Sequence, residues 1–177
     1  MTELWRKSAQ EMVGLLKAGE IRPSEAIDIA AGRIEETDGA VNAMVTRCFE
    51  RAHKHAAHLE AEGHPKDPGT GYLYGLPISV KDLAHVEGVL CTEGSPIYKD
   101  RISTESDLMV KTLEANGAIV IGKSNTPEFG AGANTFNEVF GATRNPWDTR
   151  MNAGGSSGGA AVNLATGQCW LATGSDL

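Results

Sequence analysis

Two short apolar runs with a helix between them restrict this chain more than any other feature. "LPISV", Leu76 to Val80, and "AIVIG", Ala118 to Gly122, each have the length of a buried strand. Between them "TESDLMVKTLEANG" reads as a helix, with Thr104 and Asp107 in capping-box spacing and Gly117 as its stop. Strand, helix, strand in that order predicts an α/β fold whose sheet is at least partly parallel. "CWLAT", Cys169 to Thr173, is expected to add a further strand. The first 70 residues read instead as helical. Pro23 and Ser24 open a helix with Ile27, Ala30, Ala31 and Ile34 on one stripe, and Gly39 is expected to stop it. "VTRCFERAHKHAAHLEAEGH" is read as one more helix, ending near Gly63, and "HPKDPGTGY" as a loop.

Composition removes several function classes. A formal net charge of -7 disfavours nucleic acid as a partner, because phosphate binding wants a basic face. No apolar run reaches membrane-spanning length, and "MTELWRKSAQ" lacks the apolar core of a signal peptide. Cys48, Cys91 and Cys169 are scattered and odd in number, a pattern that suits a reducing, cytoplasmic setting better than a disulfide framework. His53, His55 and His58 lie close in sequence but lack the spacing of a zinc helix, so a solvated helix face is the expected reading and no metal is assigned. Lys81 directly follows a buried run, and Asp82 should point to the opposite face of the strand.

The glycine-rich run "GGSSGG", Gly154 to Gly159, admits three readings. A flexible linker would not run straight into the helix-forming "AAVNLATG". A phosphate cradle would need a lysine after its glycines. A turn at a helix N-terminus, where backbone N–H groups favour developing negative charge, fits better. Gly155 to Gly159 even match the G-x-S-x-G nucleophile elbow, but that arrangement needs a histidine after its serine, and every histidine here lies at or before His85. A serine hydrolase so built needs another base. A lysine kept neutral by burial can serve.

Four motifs in series, "GLPISVKD", "GAIVIGKSNTPEFG", "GATRNPWD" and "GGSSGGAAVNLATG", resemble the amidase signature family. The resemblance implies a three-layer α/β/α sandwich with a large mixed sheet, of which only the N-terminal part is expected here. It divides the chain into an N-terminal helical segment, residues 1–70, and the first part of the signature core, 71–177, with the rest of the domain expected beyond 177. Lys81 would be the proton acceptor and Ser156 the relay serine, preceded by a cis peptide bond from Gly155. Ser157, Ser175, Asp176 and Leu177 would support the site and its oxyanion hole. Gly130, Ala131 and Gly132 would line the substrate. The nucleophilic serine is expected after Leu177, because Gly174-Ser175-Asp176-Leu177 opens the motif that carries it. The chain alone would then be inactive. Serine-based hydrolysis of a small amide is implied, with no cofactor. A non-catalytic remnant and a glutamine-hydrolysing amidotransferase subunit stay open as alternatives, as does a homodimer.

Overall fold

The computed structural model describes residues 3–175. In chain order it contains α1 (Ala9–Ala18), α2 (Pro23–Val41), β1 (Met44–Arg47), α3 (Phe49–Glu62), β2 (Leu76–Lys81), α4 (Leu108–Ala115) and β3 (Ala118–Ser124). A two-residue hairpin follows, β4 (Phe136–Asn137) with β5 (Gly141–Ala142), then α5 (Gly158–Ala165) and β6 (Leu171–Ala172). Among the described residues no helix is long and apolar enough to cross a membrane.

The main sheet has the order β1-β3-β2-β6. β2 runs parallel to both β3 and β6, and β1 pairs antiparallel on the outside of β3. The α/β class and the mixed sheet are therefore as the sequence predicts. Every residue of β2 and β3 is buried, which is why both read as continuous apolar runs rather than alternating ones. Ile78, Val80 and Val120 pack on one face with Val86, Val89 and Val110 of the α4 layer. Ile119 and Ile121 face the other way, into a cluster with Met12, Ile27, Ile34 and Ala52 from α1, α2 and α3. The β2–β3 register carries one irregularity: Ile78 pairs with Val120, but Ser79 pairs with Gly122, leaving Ile121 as an extra residue in β3.

Four boundaries differ from the sequence reading. α2 does not stop at Gly39; it runs to Val41, and Asn42 ends it in the left-handed conformation at φ 52°. There the Asp38 carboxylate accepts the backbone N–H groups of Ala43 and Met44 at 2.8 and 2.9 Å, so the chain can turn at once into a strand. Val45 to Arg47 consequently belong to β1, and α3 begins only at Phe49. The capping box at Thr104 is absent as well: α4 starts at Leu108, and the Asp107 carboxylate is spent on the His85 backbone N–H at 2.9 Å. The last strand is shorter than expected, Leu171–Ala172 alone.

Candidate active site

β2 delivers Lys81 to the C-terminal edge of the sheet, and the turn before α5 delivers the serines. Lys81 is only 2% exposed. Its Nζ lies 2.7 Å from Ser156 Oγ, 3.1 Å from Ser157 Oγ and 2.8 Å from Ser175 Oγ, so an ammonium there would have all three of its donors taken by hydroxyls. No carboxylate pairs with it among the described residues. Burial therefore lowers its pKa below the ordinary lysine value, with nothing to offset the desolvation. A neutral amine in this position can accept a proton from a hydroxyl. The backbone is fixed too, because the Lys81 N–H donates to Thr173 Oγ1 at 2.9 Å.

The serine turn is held from two sides. The Gly155–Ser156 peptide bond is cis. A Cβ on Gly155 would sit 3.0 Å from the backbone of Ala133 and Asn134, tighter than ordinary contact, so a larger residue there would push the two segments apart. Thr135 ties the same contact, its N–H donating to the Gly154 carbonyl at 2.9 Å and its Oγ1 accepting the Gly158 N–H at 3.0 Å. Ser157 precedes the first turn of α5, and its hydroxyl is bound to the segment after β6. It accepts the Ser175 N–H at 3.0 Å and donates to the Ser175 carbonyl at 3.2 Å. Ser175, expected only as a supporting position, also contacts the Lys81 amine directly. Asp176 and Leu177 lie outside the described residues.

The other sequence candidates are placed less centrally. Ala131 and Gly132 line a groove of about 430 Å³ with Pro127, Asn134 and Phe136; Gly130 is buried behind it against Leu83. Neither Lys81 nor Ser156 lines that groove. The stretch Ala133–Asn134, which touches Gly155, joins the two. The three histidines of α3 go separate ways. His53 pairs with Asp28, the half-buried His55 lies near Glu114, and His58 meets Glu62 one turn on. Only His53 and His58 behave as a solvated face, and burial lowers the pKa of His55. The three cysteines are free, and burial pushes the Cys48 and Cys169 thiols up to about 11.

Sequence reasoning missed a second lysine. Lys123, wholly buried, donates to Asp82 Oδ1 at 2.9 Å on the opposite face of the sheet from the serines. The signal was available, since Lys123 comes at the end of one buried run as Lys81 comes at the end of the other.

Residues 25–177 match the family model described as Amidase. The A subunit of the glutamyl-tRNA(Gln) amidotransferase from Oleidesulfovibrio alaskensis is 36% identical over 177 residues, covering 99% of this chain and 36% of that protein. A bacterial aryl acylamidase of the amidase signature family superposes with a TM-score of 0.83 at 35% identity, over 92% of this chain and 34% of its own. A 6-aminohexanoate cyclic dimer hydrolase solved with substrate gives 0.82 at 28% identity, over 94% and 33%. The chain thus spans about a third of the length of the relatives it matches. The motif series, the sheet that presents Lys81 to the serine turn, and a family match from Glu25 onward lead to one conclusion: this chain belongs to the amidase signature family.

Proposed function

We propose that these residues carry the proton-relay half of an amide-hydrolysing site, working through a serine acyl-enzyme in a chain of the relatives' length. One observation carries the reading: a buried lysine amine with a lowered pKa, 2.7 Å from Ser156 and surrounded by hydroxyls alone. In the proposed sequence a serine hydroxyl attacks the amide carbonyl and gives its proton to Ser156, which passes its own to the neutral Lys81 amine. The same path run backward protonates the leaving amine as the C–N bond breaks. Water then attacks the acyl ester by the same relay and releases the acid. By family resemblance the attacking serine follows Leu177. The N–H groups from Leu177 onward would receive the oxyanion, and a single such donor is typically worth about 10²–10³ in rate. The proposed substrate is a small amide bound alongside Ala131 and Gly132.

A second reading is supported by the 36% identity to a glutamyl-tRNA(Gln) amidotransferase chain: the amide would be glutamine, and the ammonia would go to a partner protein. Both readings share the relay. The test is to supply the full-length protein with aryl acylamides, aliphatic amides and glutamine, with and without hydroxylamine. Hydroxamate formed in competition with acid supports the acyl-enzyme. Release of ammonia from glutamine alone favours the second reading. No turnover of any amide, or undiminished turnover by the Lys81→Met variant, refutes the relay.

A further inference from the structure

Two lysines stand at the ends of neighbouring parallel strands and meet opposite surroundings. Lys81 faces hydroxyls: Ser156 and Ser157 from the turn before α5, and Ser175 after β6. Ser124 of β3 is its register partner, and α5 itself, "GGAAVNLA", contributes no ionisable side chain. Lys123 faces the Asp82 carboxylate. That carboxylate also accepts the Thr92 N–H at 3.2 Å and the Thr92 hydroxyl at 2.6 Å, while the Asp82 N–H donates to the Ser124 carbonyl at 3.0 Å. Among the described residues, the other ionisable groups on this side include the Cys91 and Cys48 thiols, whose pKa values burial raises, Cys48 lying close enough to feel the Lys123 charge, and the Arg101–Glu93 pair beside Cys91.

We infer that Asp82 and Lys123 form a positioning unit for the Lys81 amine. They pin the ends of β2 and β3 together, and each cancels the other's charge, so that Lys81 is left among neutral groups and yields its proton readily. A buried carboxylate next in sequence to Lys81, stripped of Lys123, would favour the charged ammonium. A buried Lys123 stripped of Asp82 would disfavour it. Only the intact pair, or the loss of both charges, leaves Lys81 as it is. The inference rests on the relay reading, in which Lys81 acts as a neutral base.

The acid limb of the kcat/KM profile of the full-length enzyme tests it. Lys123→Met should move that limb to higher pH by about one unit, a roughly tenfold loss of rate below it. Asp82→Asn should move it by a similar amount to lower pH. The double variant should restore the limb to its original position yet lower kcat at least about tenfold, because the pin between the strands is gone. Shifts of opposite sign in the single variants support the inference; falls in Tm and kcat with an unmoved limb overturn it. Should both single variants fail to fold, the double variant decides, since wild-type kcat there would mean that the pair positions nothing. Lys81→Met is run alongside: full activity in that variant removes the relay itself, an outcome distinct from failure of the pair.

Discussion

The Lys81 amine lies 2.7 Å from the Ser156 hydroxyl although 75 residues separate them. β2 fixes one end of that contact, through its pairing with β3 and β6. The close-packed turn before α5 fixes the other, through Thr135 and the backbone of Ala133 and Asn134. Neither side chain has to search for its partner.

Lys81→Met keeps the length and apolar body of the side chain and removes the base. The full-length enzyme should lose about 10²–10⁴ in kcat/KM, the range for a positioned general base, while its circular dichroism stays that of the parent. Retained activity would sink the assignment.

The same substitution should stabilise the fold. Burial lowers the Lys81 pKa in the folded state, so between that value and the ordinary lysine pKa the unfolded chain holds more protons than the native one. Stability from this group therefore rises with pH across that window, and its cost is complete below the folded value. Lys81→Met should melt higher than the parent at neutral pH, and the gap should close as the pH approaches about 10.4. Melting curves at several pH values check this; a gap independent of pH contradicts it.

Ser156→Ala should harm turnover more than Ser157→Ala. Ser157 contacts the lysine at 3.1 Å, but its other two bonds secure the Ser175 backbone, so its loss loosens the segment after β6 rather than breaking the relay. The reverse order in measured kcat would return Ser157 to the role of nucleophile.

Glycines in this chain should respond oppositely to alanine. On Gly159 a Cβ would press into the backbone N and O of Asn125 at well under 3.0 Å, with no flexible side chain to give way. Gly159→Ala should cost about 3 kcal/mol or more. Gly32, inside α2 with nothing within 4 Å of its added Cβ, should gain about 0.5–1 kcal/mol as alanine. Urea unfolding of both variants gives the comparison.

The strands were legible because burial on both faces writes an uninterrupted apolar run, and "LPISV" and "AIVIG" are each too short to be a buried helix. β1 was not, because four residues squeezed between two helices offer no period of their own, and the carboxylate that turns the chain, Asp38, looks like one more polar helix position. Thr104 misled through a spacing that matched a cap while Asp107 was committed to His85. For the site, local pattern put Lys81 at the end of a buried strand, a place where a lysine is usually a surface group. Its burial and its meeting with Ser156 rested on the base role that the family resemblance implied. The contact from Ser175 and the Asp82–Lys123 pair depend on strand register, which no local pattern encodes.

That register turns on the extra residue at Ile121. Side chains alternate along a strand, so one added residue reverses the phase of everything after it. With Ile121 present, Lys81 stands beside Ser124, and Lys123 falls in step with Val80 on the far face. Were Ile121 instead paired with Ser79 in unbroken register, Lys123 would come level with Lys81, and two ammonium groups would share one side of the sheet. The odd residue acts as a parity switch. It sorts two chemically identical side chains into different electrical environments, one where charge is matched and one where it is unwelcome. In this stretch of the chain, whether one residue pairs or is skipped therefore matters more than most changes in residue type.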